Sequence, residues 1–295
     1  MSTSYYTYDE TSKRSADRVP KVSIGLPVFN GEHSIRNALD ALLSQTFPDF
    51  ELIISDNAST DRTGEICDEY TTKDPRIRLF KQKDNLGASE NFKFVLKNAR
   101  GKYFMWAACD DIRSADYLDV NVSFLDQHPD FVASTSPTRF DNGKFNKVSM
   151  GDASLEGDRV NRLIKFFDTW HANGRYYSLI RRDVLDGCVF VSSHFLAADW
   201  AVVLFLADHG KMHRAKGGYL VLGSQGVSNS MDRFRVFRKS TIDYLLPFHS
   251  LFKVTLTMFG DIPLAARFRM LWIFIKLNCA AVTIQLKLNF RMLIS

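Results

Sequence analysis

The chain has little that could hold it together covalently or through a structural metal. Its four cysteines, Cys67, Cys109, Cys188 and Cys279, form no CxxC pair and have no companion histidine pattern, which excludes a zinc module and points to reduced thiols in a cytosolic setting. No GxGxxG or GxxxxGK[ST] segment follows any strand-like run, so neither a dinucleotide site nor a P-loop is expected. Charges interrupt even the most apolar stretch, leaving "MLWIFI" before Lys276 and "LNCAAVTIQL" after it, each short of the roughly 20 apolar residues of a spanning helix. Residues 1–20 are polar, lack the apolar segment of a secretory signal, and read as a flexible leader. There is no internal repeat and no low-complexity tract. Acidic residues nearly vanish towards the end: residues 233–295 hold ten Lys or Arg against Asp243 and Asp261, so this part carries +8 of a net +5 and the rest −3. Such a split implies two surfaces with two different partners, and nucleic acid is not expected among them.

A hydrophobic content of 45%, with 13% aromatic residues, is enough for a substantial core in 295 residues and excludes global disorder. From Lys21 to Arg139, β-rich runs alternate with helical-period segments. Strands are predicted at 21–26, 50–55, 76–81, 103–108 and 131–136, with helices at 32–46, 61–73, 87–99 and 114–127. A βαβα series implies an α/β fold, a mostly parallel sheet with helices on both faces, in which ligands sit beyond the carboxyl ends of the strands. Four successive strand ends carry polar loops: "PVFNGE" (27–32), "DNASTD" (56–61), "DNLGASEN" (84–91) and "CDD" (109–111). Ser59, Thr60 and Asp61 could merely start a helix, but four such loops together define a crevice.

Asp110 and Asp111, adjacent at the end of an apolar strand, repel each other unless a cation or water lies between them. In the absence of a glycine cradle, a divalent cation bridging carboxylate and diphosphate accounts for the pair, and hard oxygen ligands favour Mg²⁺ or Mn²⁺. The plain alternative is that Asp111 caps the helix starting near Ser114 while Asp110 is solvated.

The segments "VSIGLPVFNGEHSIRNALDALLSQTFPDFELIISDNASTDRT", "DNLGASENF" and "GKYFMWAACDD" resemble the nucleotide-binding half of inverting family 2 glycosyltransferases of the GT-A fold. The resemblance covers residues 20–140 and thins towards residue 230. It implies a GT-A domain over 21–236, divided into a nucleotide-sugar half (21–140) and an acceptor and catalytic half (141–236), with basic apolar helices over 237–295. The implied donor is a uridine or thymidine diphosphate sugar. Pro27, Phe29, Asn30 and Glu32 would line the base and ribose pocket, with Asp56 accepting from the pyrimidine N3–H. Asn85, Gly87 and Asn91 match an N-x-G-x-x-x-N segment beside the donor, and Asp110 and Asp111 fall on the metal motif. Ala108 stands where a first aspartate is common, and Ala198 where a glutamate precedes the catalytic aspartate, so Asp199 is the implied general base. It lies just before a segment whose spacing predicts an amphipathic helix; Asp183 and Asp186 read as surface residues.

Residues 173–185 read as a second sheet segment near the acceptor, with Trp170, His171, Arg175 and Tyr176 as candidate sugar contacts. The segment 223–235 has the Gly and Ser content of a lid, with Arg233 or Arg235 over phosphate. Basic amphipathic helices over 237–295 would lie on the inner face of the cytoplasmic membrane, where a glycan or lipid-linked acceptor for surface polysaccharide or lipopolysaccharide synthesis is implied. The same helices could instead pack on the catalytic domain or form a homodimer. A sugar-phosphate nucleotidyltransferase would need a Gly-rich loop that "LPVFNGE" does not provide; a silent glycan-binding scaffold has only the Ala108 and Ala198 departures in its favour.

Overall fold

The computed structural model describes residues 6–8, 18–167, 171–223, 233–238, 240–258 and 260–294. In chain order the first half contains strands β1 (Tyr6–Tyr8), β2 (Val22–Val28), β3 (Phe50–Asp56), β4 (Ile77–Gln82), β5 (Tyr103–Trp106) and β6 (Ile112–Arg113). Between them lie helices α1 (Ile35–Leu43), α2 (Thr63–Thr71) and α3 (Ala88–Lys97), with α4 (Tyr117–Gln127) following. The second half adds β7 (Phe131–Thr135), β8 (Thr138–Phe140), α5 (Arg159–Phe166), β9 (Leu179–Arg181), α6 (Arg182–Leu185) and α7 (Ala198–His209). Then come β10 (Lys211–Arg214), β11 (Leu220–Leu222), α8 (Arg233–Val236), α9 (Thr241–Leu245), α10 (His249–Met258) and α11 (Leu264–Ile294).

The main sheet has the order β1-β4-β3-β2-β5-β9-β7-β10, and β6-β11-β8 form a small second sheet. Strands β4, β3, β2 and β5 are parallel neighbours, as the βαβα pattern predicts. Two departures have local causes. Residues 173–185 do not form a second sheet: β9 enters the main sheet antiparallel between β5 and β7, leaving β7 parallel only to β10. Part of the polar leader, β1, pairs antiparallel with β4, whose outer backbone groups would otherwise lack partners.

Two cores flank the sheet. Val22, Ile24 and Leu26 meet Ile35, Leu39, Tyr117 and Leu118 of α1 and α4 on one face. Ile53, Phe104 and Trp106 meet α3, α5, α7 and the last two helices on the other. Gly25 is where α3 comes closest, since a Cβ there would lie 2.7 Å from Val95 Cγ2. Pro27 sits in a central strand without cost because β5 has already ended. The Gly25 carbonyl accepts from Ala107 N–H at 2.9 Å on the β5 side, and two residues on, the nitrogen of Pro27 faces that same, now vacated, side. The sheet therefore splits open at its carboxyl edge.

Helix α7 is not amphipathic: Trp200, Ala201, Val202, Val203, Leu204, Leu206 and Ala207 are all buried, so it is a central core helix. Phe248 and Leu251 of the tail pack into the same core, and the Phe248 ring lies 6.1 Å from Trp200. Helix α11 runs unbroken through Lys276 instead of in two pieces. A lysine's long stem lies along the helix surface while its ammonium stays in water, so one charge does not stop it.

Candidate active site

The loops after β2 and β3 are zipped to each other. Asn30 adopts a left-handed backbone conformation, φ 52°, which asparagine tolerates. Its side-chain oxygen accepts from Thr60 N–H at 2.8 Å while its own N–H donates to Ser59 Oγ at 2.9 Å. Glu32 accepts from Arg62 N–H at 3.0 Å and donates its N–H to Asp61 at 3.1 Å. Asp61 also accepts from the N–H and hydroxyl of Thr63, opening α2. Phe29 remains 47% exposed on the rim beyond Pro27. Asp56, at the end of β3, is buried and accepts from Ser59 N–H at 3.0 Å.

Asn57, which the sequence reading passed over, ties in the next loop: its amide nitrogen donates to Asn85 at 2.9 Å and its oxygen accepts from Leu86 N–H at 2.8 Å. Asn85 also accepts from Gly87 N–H, and Gly87, at φ 80°, opens α3. Asn91 is buried one turn into α3, with its amide spent on Ser55: it accepts from the hydroxyl at 2.6 Å and donates to the carbonyl at 3.0 Å. It clamps α3 to β3 below the crevice.

The two adjacent aspartates have different environments. Asp111 is 3% exposed, and its oxygens face the N–H groups of Ala108 (3.4 Å) and Gly223 (3.2 Å). Burial pushes its pKa up to about 6, against the pull of Arg113 and with a push from Asp110. Asp110 is partly exposed and makes no hydrogen bond among the described residues. Gly223, directly after β11, leaves it room: a Cβ there would lie 1.9 Å from the Asp110 carboxylate. Arg113 is buried beneath the pair, bonded through one nitrogen to the Trp106 carbonyl at 2.8 Å, with Nε and Nη1 unpartnered.

Among the described residues no three His, Cys, Asp or Glu side chains cluster as a metal site. Asp110, with no hydrogen bond among the described residues, is a hard oxygen donor of the kind Mg²⁺ takes, one or two protein carboxylates being characteristic of its sites. Asp111 holds the turn.

Asp199 lies inside the first turn of α7, and not before it, following Ala197, itself at φ 65°. Burial raises its pKa, while Asn173 Nδ2 donates to it at 3.0 Å and favours the charged form. Burial, with the negative charges of Asp111, Asp199 and Asp110 adding to it, pushes the Tyr177 hydroxyl upward. Asp183 and Asp186 are exposed on α6 and beyond it, with Asp186 paired to Arg182 at 2.9 Å.

Of the expected acceptor contacts, His171, Arg175 and Tyr176 are buried. His171 is buried, its two ring nitrogens facing the carbonyls of Ala172 and Phe166, and burial lowers its pKa. Arg175 is buried with Nε on the Ala153 carbonyl at 2.7 Å, and desolvation lowers its pKa to about 10. Tyr176 stacks on Trp106 with centroids 4.7 Å apart and planes 2° apart. Trp170 and most of the 223–235 segment lie outside the described residues, as do the side chains of Arg233 and Arg235. Asn173 and Arg113 went unnoticed in the sequence, and Gly223 figured only as the first residue of the expected lid. Arg113, a cation two residues after the acidic pair, was the readable signal.

A mostly parallel α/β sheet with polar loops after its strands is the arrangement in which such folds bind ligands beyond the carboxyl ends of the strands. The model of the family described as Glycosyl transferase family 2 matches residues 23–188, more than half of the chain, and the chain belongs to that family. It is 34% identical over 153 residues to Glycosyltransferase GlyA of Streptococcus pneumoniae, covering 50% of this chain and 22% of that protein. EpsE of Bacillus subtilis is 32% identical over 124 residues, 41% of this chain and 45% of EpsE. The chain thus spans less than half the length of these relatives. Among solved structures, S. aureus TarS 1–349 superposes with a TM-score of 0.57 at 20% identity, over 87% of this chain and 80% of that one. The mannosyltransferase PcManGT from Pyrobaculum calidifontis gives 0.55 at 17% identity, over 95% and 82%. These likenesses establish a GT-A type fold.

Proposed function

We propose that the chain is a metal-dependent, inverting glycosyltransferase that moves a sugar from a uridine or thymidine diphosphate donor to a hydroxyl of a glycan or lipid-linked acceptor, in surface polysaccharide or lipopolysaccharide synthesis at the inner face of the cytoplasmic membrane. The observations that carry this reading are Asp110, which makes no hydrogen bond among the described residues and faces Gly223, and the buried Asp199, held by Asn173. Two related structures add support: TarS was solved with UDP-GlcNAc, and PcManGT with GDP-Man and Mn²⁺.

Mn²⁺ or Mg²⁺ held by Asp110 would supply charge neutralisation for a diphosphate leaving group. The chain's own groups do the rest. Asp56, at the floor of the first two loops, offers an acceptor to a base N–H, and Phe29 on the rim offers a ring face. Asp199, oriented by Asn173, takes the proton of the acceptor hydroxyl as that oxygen attacks the anomeric carbon from the face opposite the diphosphate. One displacement inverts the anomeric configuration. The test is incubation with a panel of nucleotide sugars in Mn²⁺ or EDTA, following diphosphate release and product anomer. Release in Mn²⁺ only, with an inverted product, is expected; equal rates in EDTA, or a retained anomer, refute the reading.

A further inference from the structure

Helix α11 has two apolar faces. One stripe, Ala266, Met270, Phe274, Leu277 and Ala281, is buried in the large core. The opposite side, with Leu264, Phe268, Leu271, Trp272, Ile275 and Leu286, is 44% to 66% exposed. A surface helix of a soluble domain carries polar residues on its outer side. More than half of the large apolar side chains left exposed among the described residues lie between Val236 and Leu286. A groove of about 590 Å³ between α9, α10 and α11, lined by Leu245, Phe252, Leu271 and Ile275, continues the surface. Lys253 of α10 and Arg267, Lys276 and Lys287 of α11 are exposed on the same two helices, in the part of the chain that carries +8. Lys276 Nζ sits 5.3 Å from the centre of the Trp272 ring, an aromatic and a cation side by side on the helix surface.

We infer that this face is a docking surface for an anionic lipid bilayer, with α11 lying in the plane of the membrane. The stretch Leu264–Lys287 is long and apolar enough to cross a bilayer by length and composition. Its buried stripe, however, runs from Ala266 to Ala281 in contact with the rest of the protein, so lipid cannot surround it. A helix with one face held by protein and the other apolar sinks only to the boundary between headgroups and acyl chains. The exposed cations select anionic headgroups over zwitterionic ones. No residue of the site enters this inference: it rests on the membrane location proposed above and gives it a surface, and vesicle binding can fail while sugar transfer persists.

The test uses the full chain and vesicles of phosphatidylcholine with and without phosphatidylglycerol. The protein is expected to sediment with the anionic vesicles, less so in high salt, and to be released by alkaline carbonate. Phe268→Glu with Trp272→Glu, both at exposed positions, should lower partitioning at least about tenfold, with thermal unfolding and nucleotide binding unchanged. Failure to sediment with phosphatidylglycerol vesicles overturns the inference. So does resistance to carbonate, which means spanning. A dimer broken by the same variant, with no vesicle binding, overturns it in favour of a second copy of the chain.

Discussion

Asp199 and Asp110 differ in what burial asks of them. Asp199 is desolvated, so its pKa lies above the ordinary carboxylate range, and the base form fills as pH rises through that raised value. The acid limb of kcat should therefore lie above the range of an exposed aspartate. Asp199→Asn should leave nucleotide affinity intact and reduce transfer by roughly 10²- to 10⁴-fold; a near wild-type rate would place the base elsewhere. Asp110 depends instead on the space that Gly223 leaves. Gly223→Ala should push directly on the carboxylate, since the new methyl would start 1.9 Å from it. Titration calorimetry of uridine diphosphate with Mn²⁺ should then show weakened binding with an unchanged unfolding temperature; unaltered affinity would mean that Asp110 holds nothing. The sequence points to Asp110 through the acidic pair at the end of an apolar strand and to Asp199 through the family resemblance, and the fold places one after β5 and the other in the first turn of α7. Asp111 could not be told from Asp110, since only the fold reveals which one meets the backbone of Gly223. His171 and Arg175 look in sequence like groups for a sugar, yet their partners are main-chain carbonyls, which no residue pattern displays.

At the scale of elements, β2 to β5 and their helices were legible to within a few residues because each strand's apolar run is bounded by a polar loop. Strand β9 was not, being three residues long and placed in the sheet by β5 and β7 on either side. Helix α7 was misjudged as amphipathic because its own residues cannot reveal that the tail covers the remaining side. The amino ends of the strands are held by a buried ionic knot that needs all its members. Glu51 accepts from Ser23 Oγ at 2.6 Å, Arg78 at 2.9 Å and Arg100 at 3.0 Å. Burial works against its charge, but these donors hold its pKa below the usual range. A depressed carboxylate contributes stability that is present above its unfolded pKa and lost as pH falls through the folded one. Glu51→Gln should cost about 3 to 5 kcal/mol near neutral pH, because the arginines keep their charge without a partner. The gap to wild type should narrow on acidification, as urea unfolding at several pH values would reveal; a constant gap would assign the loss to packing alone.

The molecule as a whole is less divisible than its composition implies. The basic tail shares a core with α7, and Phe248 lies beside Trp200, the residue next to Asp199. Phe248→Ala should cost about 3 to 5 kcal/mol and lower kcat more than donor affinity. Ending the chain at residue 236 should abolish a cooperative melt instead of releasing an intact enzyme. Calorimetry of the full chain is expected to show one transition; two separate transitions would restore an independent tail.

The antiparallel β9 has a consequence for synthesis on the ribosome. Strands β3, β4 and β5 each find a partner already made, β2 or β3, but β7 has β9 on one side and β10 on the other, and both are made later. The nascent chain must therefore carry a finished half-sheet and a waiting, solvent-exposed β7 until residue 181 clears the exit tunnel. Stalled chains ending shortly before that point should be protected from protease over 22–106 and cut near 131–135, and chains stalled well after β10 should not. Chaperone capture would be expected in that interval, and the length of the waiting segment, not the final stability, would limit the yield of folded protein.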